Sequence, residues 1–245
     1  MNILSLLYTE ILWRPIFNGL VFFYNILPGH DAALAIIVLT VSLRLLLLPL
    51  YLKAQKSQRD LARVQPEIKR VQEQFKNDRE AQGKALMEVY AKYGVNPFSG
   101  CLVMLLQIPV LIAMFSVFRH GFQADQMHYL YSFISHPAGI SLIGFGFLNL
   151  AASSKILGAM AAVTQYIQTK LTLPPPPAGG SAKGSRTKDF SQMMQAQTLY
   201  IFPALIFFWS FTFPSALMIY WTTQNLFGIL QELVVKKFQP IKDQK

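Results

Sequence analysis

The sequence predicts an all-α polytopic membrane protein with five transmembrane helices, an external N-terminus and a cytoplasmic C-terminus. Of its 245 residues, 53% are hydrophobic and only 14% are charged, whereas about 25% of the residues in a soluble domain are charged. Several apolar runs approach the roughly 20 residues that a helix needs to cross a bilayer. The net charge is +10, and the basic residues cluster between particular apolar runs, an asymmetry typical of membrane proteins.

Residues 1–30 are predicted to form an N-terminal interfacial amphipathic helix on the outer face. The segment is apolar but contains Glu10 and Arg14. Its aromatic residues are of the kind that sits at a bilayer interface; they are Trp13, Phe17, Phe22, Phe23 and Tyr24. A sixth span is the alternative. We expect no signal peptide, because the segment has no basic start and no small-residue cleavage site.

The apolar runs predict five spans, separated by loops of different character. The spans are 32–52, 99–118, 154–171, 196–213 and 215–235. The third is the least apolar, but Gly158 and Ala162 form a small-residue pair suited to close helix contact. Phe213-Pro214-Ser215 leaves only a tight turn between the last two spans, so we expect them to form an antiparallel hairpin. Residues 119–153 are predicted to be an external loop.

Residues 53–96 are predicted to form a helical hairpin in the cytoplasm. Apolar residues recur there at alternating spacings of three and four, typical of a helical seam; they are Leu61, Val64, Ile68, Val71 and Phe75. Pro66 should bend the first arm, and Gly94 should end the second. The alternative is a solvated charged loop. Residues 172–195 read as a Pro/Gly-rich cytoplasmic linker, and 236–245 as a basic cytoplasmic tail.

The basic residues predict the orientation. With five spans, eighteen of the 22 Lys and Arg residues lie on one side, in segments 53–92, 170–190 and 236–245. The other side has three, at Arg14, Arg119 and Lys155. Because cytoplasmic loops are enriched in Lys and Arg, the N-terminus is expected outside and the C-terminus inside. We expect the inner membrane of a bacterium, since no transit peptide is visible.

Arg44 is the basic residue that remains, and it lies inside the first predicted span. An arginine there costs about 2.5–3.5 kcal/mol on the insertion scale. Snorkelling towards the cytoplasm would have to cover about 13 Å to the level of Lys53, against the outward lean of helical side chains. We expect no acidic residue of another span to neutralise it. Snorkelling or a structural ion pair is the alternative to the interpretation that we favour, an uncompensated cation facing a wet cavity.

Further polar residues in the predicted spans favour such a cavity. Thr40 lies one helical turn before Arg44. Gln107 lies in the second span, and Gln165 and Gln168 share a face of the third. The fifth span contributes Tyr220, Trp221, Gln224 and Asn225. Each alone is typical of contact between helices, but together with Arg44 they predict a hydrophilic groove that prefers anionic partners.

Catalytic chemistry finds little support in the sequence. The four histidines lie outside the spans or at their edges without metal-ligand spacing, and no histidine lies near Cys101. Asp and Glu are expected to avoid the spans, which would leave no carboxylate proton relay. The positive-inside pattern accounts for the charge without nucleic acid. We therefore expect neither an enzyme, a cofactor nor a metal, and no sequence-specific nucleic-acid partner.

The order of these features resembles the YidC/Oxa/Alb family of membrane protein insertases. The matching stretches are Leu34–Leu50, the QPEIK run at 65–69, Tyr93–Pro109 and Phe213–Gln231. The resemblance implies a groove that is open to the cytoplasm and to lipid and closed to the outside. Positions matching Arg44, Thr40, Gln107 and Trp221 would line it, with Ile108 and Leu111 forming a greasy slide beside it.

The resemblance also implies an activity and partners. The protein would be an insertase and chaperone that moves short external segments across the membrane and releases transmembrane helices into the bilayer. The hairpin, with Pro66 and Lys69, would receive the substrate. The implied partners are nascent membrane proteins, the lipid bilayer, the ribosome and the Sec translocon, although the short basic tail argues against strong ribosome binding. A structural subunit of a larger membrane complex, or a small-solute channel, is the alternative.

Overall fold

The computed structural model describes residues 3–96, 99–121, 124–173 and 196–238. The chain is mostly helical, as expected. The described residues form two compact units. The first contains 3–46, 109–173 and 196–238, and the second contains 47–108 apart from the gap at 97–98. The predicted Pro/Gly-rich linker and the end of the basic tail lie outside the described residues.

The first unit begins with three helices. Helix α1 (Ile3–Tyr8) runs through a π-helical turn (Thr9–Trp13) into α2 (Arg14–Ile26). Helix α3 (Ala32–Leu46) follows a short 3-10 turn. The side chain of Asp31 starts α3, because its Oδ1 accepts the backbone N–H groups of Ala33 at 2.7 Å and Leu34 at 3.0 Å. Such an N-cap supplies partners for donors that the first helical turn leaves unpaired.

The aromatic residues of α2 and of the turn before it do not all lie where a bilayer interface would contact them. Trp13, Phe17 and Tyr24 are buried in the protein core, so their assignment to the bilayer interface is wrong. They are covered because α2 packs on α3 and because Trp13 stacks on Phe17 and meets the edge of Tyr129, with ring centroids 5.0 and 5.1 Å apart. Phe22 is exposed.

The loop after the second predicted span is tied firmly to α2. Asn18 donates to the carbonyl of Tyr129 at 3.0 Å and accepts the N–H of Tyr131 at 2.7 Å. The hydroxyl of Tyr24 accepts the N–H of Ser141 at 3.0 Å. The loop then forms an antiparallel pair of short strands, β1 (Ile143–Gly144) and β2 (Leu148–Asn149). The polar residues of α2 therefore order this segment.

The first predicted span, 32–52, is not a single helix. Helix α3 ends at Leu46, and α4 (Leu48–Gln74) begins after a break at Leu47. Pro49 lies in the first turn of α4, where its missing N–H does no harm, whereas inside a continuous helix it would clash with the preceding turn. This proline is a signal in the sequence that explains the break.

The remaining helices have residue bounds close to those of the other predicted spans. Helix α6 (Ser99–Ser116) is followed by a π-helical turn at Val117–Gly121. Helix α7 (Lys155–Thr172) starts at an N-cap from Ser154. A π-helical turn (Gln197–Ile201) leads into α8 (Phe202–Trp209), and α9 (Ser215–Phe238) completes the unit. Helix α9 packs against both α7 and α3, and α7 packs against α8.

Helix length and hydropathy provide a separate test of the predicted spans. Among the described residues, no helix is by itself both long and apolar enough to cross a bilayer. The pair formed by Ala32–Leu46 and Leu48–Gln74, which is bent at its break, meets the criterion when the two helices are taken together. The number of spans and their orientation therefore remain predictions.

The second unit contains the helical hairpin. Helix α4 continues through Pro66 to Gln74, and α5 (Arg79–Tyr93) returns against it. Asp78 caps α5 by accepting the N–H groups of Glu80 at 3.1 Å and Ala81 at 3.0 Å. Gly94 ends the helix in the left-handed conformation, with φ of 62°, which glycine adopts without steric cost.

Candidate functional site

Arg44 is buried in the first unit, with 7% of its surface exposed. Its Nε donates to the side-chain oxygen Oε1 of Gln224 on α9, and its Nη2 donates to the backbone carbonyl of the same residue at 3.2 Å. Its guanidinium also lies 5.9 Å from the ring centre of Phe227. Neutral groups of α9 therefore accept these hydrogen bonds, and the wet cavity around the charge stays a prediction.

Gln224 is itself positioned by a neighbour one helical turn earlier. Its Nε2 donates to the hydroxyl of Tyr220 at 3.0 Å. Tyr220 is 1% exposed, and Gln224 is also buried. Tyr220, Gln224 and Arg44 therefore form a chain of hydrogen bonds, which we call the Arg44 cluster. The i,i+4 spacing on α9 places the first two residues of the chain on one helix face.

Thr40 lies one turn before Arg44 on α3, as expected. Its hydroxyl is buried and donates to the carbonyl of Ile36 at 2.6 Å. This bond satisfies the hydroxyl within its own helix, the usual arrangement for a buried helical threonine. Thr40 still contributes an oxygen with spare acceptor capacity near the cluster.

The other two polar residues of α9 that were predicted for the groove bond to α7 instead. Trp221 donates through Nε1 to Oε1 of Gln165 at 2.9 Å. Asn225 donates through Nδ2 to the carbonyl of Ala161 and to the hydroxyl of Thr164, both at 3.2 Å. We call this second set the α7 seam. The structure thus divides the predicted groove residues of α9 into two pairs, one beside Arg44 and one bonded to α7.

The α7 seam is also closely packed. A Cβ atom on Gly228 of α9 would overlap the side-chain amide of Gln168 on α7, and one on Gly158 of α7 would overlap Ser210. Small residues permit such close approach between helices. Gln168 and Gly158, both singled out from the sequence, are therefore accounted for by helix packing.

The predicted groove residues on α6 divide between the two units. Gln107 belongs to the second unit, where the hydroxyl of Tyr51 donates to its Oε1 at 3.3 Å. Ile108 is in the same unit and is exposed, whereas Leu111 is in the first unit and is half-buried. The hydrogen bonds of the Arg44 cluster described above involve α3 and α9 only.

Glu232 is a residue that sequence reasoning missed. It lies inside the predicted fifth span and is 3% exposed, so the expectation that carboxylates avoid the spans is wrong. Its Oε1 lies 3.6 Å from Nζ of Lys236, which also donates to the carbonyl of Leu171 at the end of α7 at 2.6 Å. The signal was present in the sequence, because Glu232 comes before the predicted end of the span at residue 235.

The hairpin residues Pro66 and Lys69 lie on α4, exposed and half-buried respectively. Burial raises the pKa of the Tyr90 hydroxyl on α5, so this side chain is a neutral hydrogen-bonding group near neutral pH. Among the residues that the structure describes, no group of three or more His, Cys, Asp or Glu side chains could hold a metal ion.

Comparison with known proteins gives consistent results. Residues 22–243 match the family described as 60Kd inner membrane protein. The chain is similar to the membrane protein insertase YidC of Pelobacter propionicus, with 30% identity over 96% of this chain and 40% of the relative. It is 33% identical to the YidC insertase of Francisella tularensis subsp. novicida over 83% of this chain and 32% of that protein.

A solved structure is also similar. It is described as an active YidC insertase crystal structure with the first transmembrane domain resolved, and the TM-score is 0.56 at 25% sequence identity. The match covers 91% of this chain and 46% of the solved one. The chain thus spans less than half the length of the relatives that it matches.

Proposed function

The chain belongs to the 60Kd inner membrane protein family, the family of the YidC insertases, and on this premise we propose that it is a membrane protein insertase and chaperone. It moves short external segments of new membrane proteins across the bilayer and releases their transmembrane helices sideways into lipid. The observation that carries the proposal is an arginine buried inside an apolar helix, with Gln224 of α9 accepting hydrogen bonds from its guanidinium.

The physical problem for such a protein is desolvation. A polar segment that crosses about 30 Å of hydrocarbon loses its hydration at a large cost in free energy. A polar groove shortens the dry path, and a cation inside it attracts acidic side chains of the moving segment. A membrane potential that is positive outside then favours their outward movement by about 2.3 kcal/mol per charge for each 100 mV.

The proposed topology is five spans with the N-terminus outside and the C-terminus in the cytoplasm, in a bacterial inner membrane. The family description as an inner membrane protein supports the location. An exposed apolar stripe along α7 supports contact with lipid; it consists of Ile156, Met160, Val163 and Ile167. Spacings of four, three and four place these residues on one face of the helix.

The groove residues that we propose in the first unit are the Arg44 cluster, Thr40, Trp221 and Asn225. Gln107 of the second unit is proposed as a groove residue because its position matches the family. Ile108 and Leu111 provide the greasy slide along which the apolar part of the substrate leaves. The hairpin, with Pro66 and Lys69, receives the substrate. Its partners are nascent membrane proteins, the bilayer, the Sec translocon and, weakly, the ribosome.

The test of the activity is site-specific photo-crosslinking to stalled ribosomes that carry a short single-span substrate. Probes at Gln107 and Leu111 should crosslink to the nascent chain, and a probe at the exposed Phe208 of α8 is the control. A structural subunit would crosslink to one fixed partner and to no nascent chain. A channel would conduct solute in liposomes without a substrate. Either result would contradict the insertase proposal.

A further inference from the structure

We propose that Gln224 is the resting ligand of Arg44, that a carboxylate of the incoming substrate displaces it, and that Tyr220 holds the amide in the orientation that makes this exchange reversible. The inference rests on the proposed insertase function and assigns a positioning role within the same site. It makes Gln224 a determinant of selectivity for acidic segments.

The geometry shows how one residue holds two donors of the arginine. The side-chain oxygen of Gln224 accepts from Nε, and its backbone carbonyl accepts from Nη2. Both of these acceptors are neutral, so neither bond neutralises the positive charge of Arg44. A buried polar group without partners would be costly, and Gln224 removes part of that cost between substrates.

A carboxylate can replace this ligand because it binds arginine more strongly. Bonds between a guanidinium and a carboxylate are charge-assisted and often bidentate, roughly twice as strong as bonds between neutral groups. An acidic side chain that reaches Arg44 therefore gains more than the amide loses. When the segment moves on, Gln224 can take the arginine back, because its backbone is fixed in α9 and only the side chain has to move.

Tyr220 decides which end of the amide faces the arginine. The oxygen and nitrogen ends of a glutamine have nearly the same shape, but only the oxygen accepts a hydrogen bond. The bond from Nε2 to the Tyr220 hydroxyl directs Oε1 towards Arg44. Tyr220 is almost completely buried, so packing keeps this acceptor in place.

The chemistry also explains why a neutral side chain suits this position. A glutamate would have almost the same shape but would form a permanent ion pair with Arg44. Such a pair is strong in a site of low dielectric constant, and it would compete with every substrate carboxylate. Gln224→Glu is therefore a sharp test, since it changes one atom and adds a charge where the substrate's charge should bind.

The experiment uses the full chain in proteoliposomes with two matched substrates. One has two acidic residues in its short external tail, and the other has the corresponding amides. We expect Gln224→Glu to reduce insertion of the acidic substrate about ten-fold, because the built-in carboxylate is always present at the arginine. Insertion of the amide substrate should fall less than about two-fold. Thermal unfolding of the purified variant checks its fold.

A double-mutant cycle with Arg44→Ala separates this role from a structural one. If Gln224 acts through the arginine, Gln224→Met, which puts no unpaired buried charge beside the missing arginine, should cause no further loss in the Arg44→Ala background. Equal losses for both substrates, or additive losses in the double variant, would overturn the proposal. If Arg44→Ala alone inserts the acidic substrate normally, the electrostatic part of the proposed function fails. If Arg44→Ala is impaired and Gln224→Glu behaves like the unmodified protein, only the inference about Gln224 fails.

Discussion

Helix α9 presents polar side chains to two neighbours, and the two sets differ in charge and in packing. Towards α3, Tyr220 and Gln224 hold a buried cation. Towards α7, Trp221 and Asn225 bond to neutral amide, hydroxyl and carbonyl groups, in a seam where a Cβ atom on Gly228 or Gly158 would overlap a facing side chain. The difference shows that polar residues of one apolar helix can have two distinct roles. The α7 seam fixes two helices together, whereas the Arg44 cluster keeps a charge whose partner can be exchanged.

Among the residues of the two sets, a change at Arg44 should have the largest effect on insertion. Arg44→Ala should lower insertion of a substrate with an acidic external tail by about ten-fold or more, because the only charge in the cluster is lost. Arg44→Lys should be milder, since it keeps the charge but loses the planar fork of donors. Insertion assays with matched acidic and amide tails measure both. Equal insertion by all three proteins would rule out an electrostatic role.

The next effect concerns the close packing of the α7 seam. Gly158→Ala should lower the free energy of unfolding by about 1–3 kcal/mol, the usual cost of overpacking, because the new methyl group meets both the Cβ and the hydroxyl of Ser210. Gly83→Ala in α5 is the control, since a methyl group there meets nothing and should stabilise the helix by about 0.5–1 kcal/mol. Unfolding is measured in detergent. An unchanged free energy of unfolding in Gly158→Ala would show that the packing around Gly158 adjusts without cost.

Trp221→Phe should show whether Trp221 acts only in helix packing or also in the recognition of acidic substrates. It removes the indole donor to Gln165, so the free energy of unfolding should fall by about 1 kcal/mol. Because the Arg44 cluster is untouched, any loss of insertion should be the same for acidic and amide tails. A selective loss with the acidic tail would place Trp221 functionally with Arg44 and erase the distinction between the two faces.

The smallest effect on insertion is expected at Tyr220, because this residue acts on Arg44 through Gln224. Tyr220→Phe keeps the ring and removes the hydroxyl that accepts from the Gln224 amide. Because it leaves a buried donor without that partner, it should cost about 1–3 kcal/mol of stability. The preference for acidic over amide tails should change in the same direction as in Gln224→Met, a variant that removes the amide ligand of Arg44. If Tyr220→Phe and Gln224→Met changed the preference in opposite directions, Tyr220 would not act through that amide.

Much of the site could be predicted from residue types, but not the choice of partners. Arg44 was recognisable because an arginine in an apolar run demands an explanation. The pairs Tyr220 with Gln224 and Trp221 with Asn225 followed from helical spacing. Which neighbour each pair faces depends on how α9 is rotated between α3 and α7, and this is decided by packing over the whole bundle.

The other differences between the prediction and the structure were not equally visible in the sequence. Pro49 marks the break after Leu46, and Glu232 is visible inside the fifth apolar run, so both were available from the sequence. The burial of Trp13, Phe17 and Tyr24 was not, because aromatic residues suit both a bilayer interface and a protein core. Their surroundings became clear only with the loop that Asn18 and Tyr24 bind.

Asp31 connects the helix of the arginine to the loop between α6 and α7. One oxygen caps α3, and the other accepts the N–H of Phe145 in the turn between β1 and β2. The start of α3 is thereby anchored, and Arg44 lies thirteen residues further along, about 20 Å from that anchor. If α3 tilted as a rigid body about this anchor, the displacement would grow with distance from Asp31 and would be large near Arg44. A tilt of about 5° at the anchor would carry the guanidinium by about 2 Å over this length, enough to make or break a hydrogen bond.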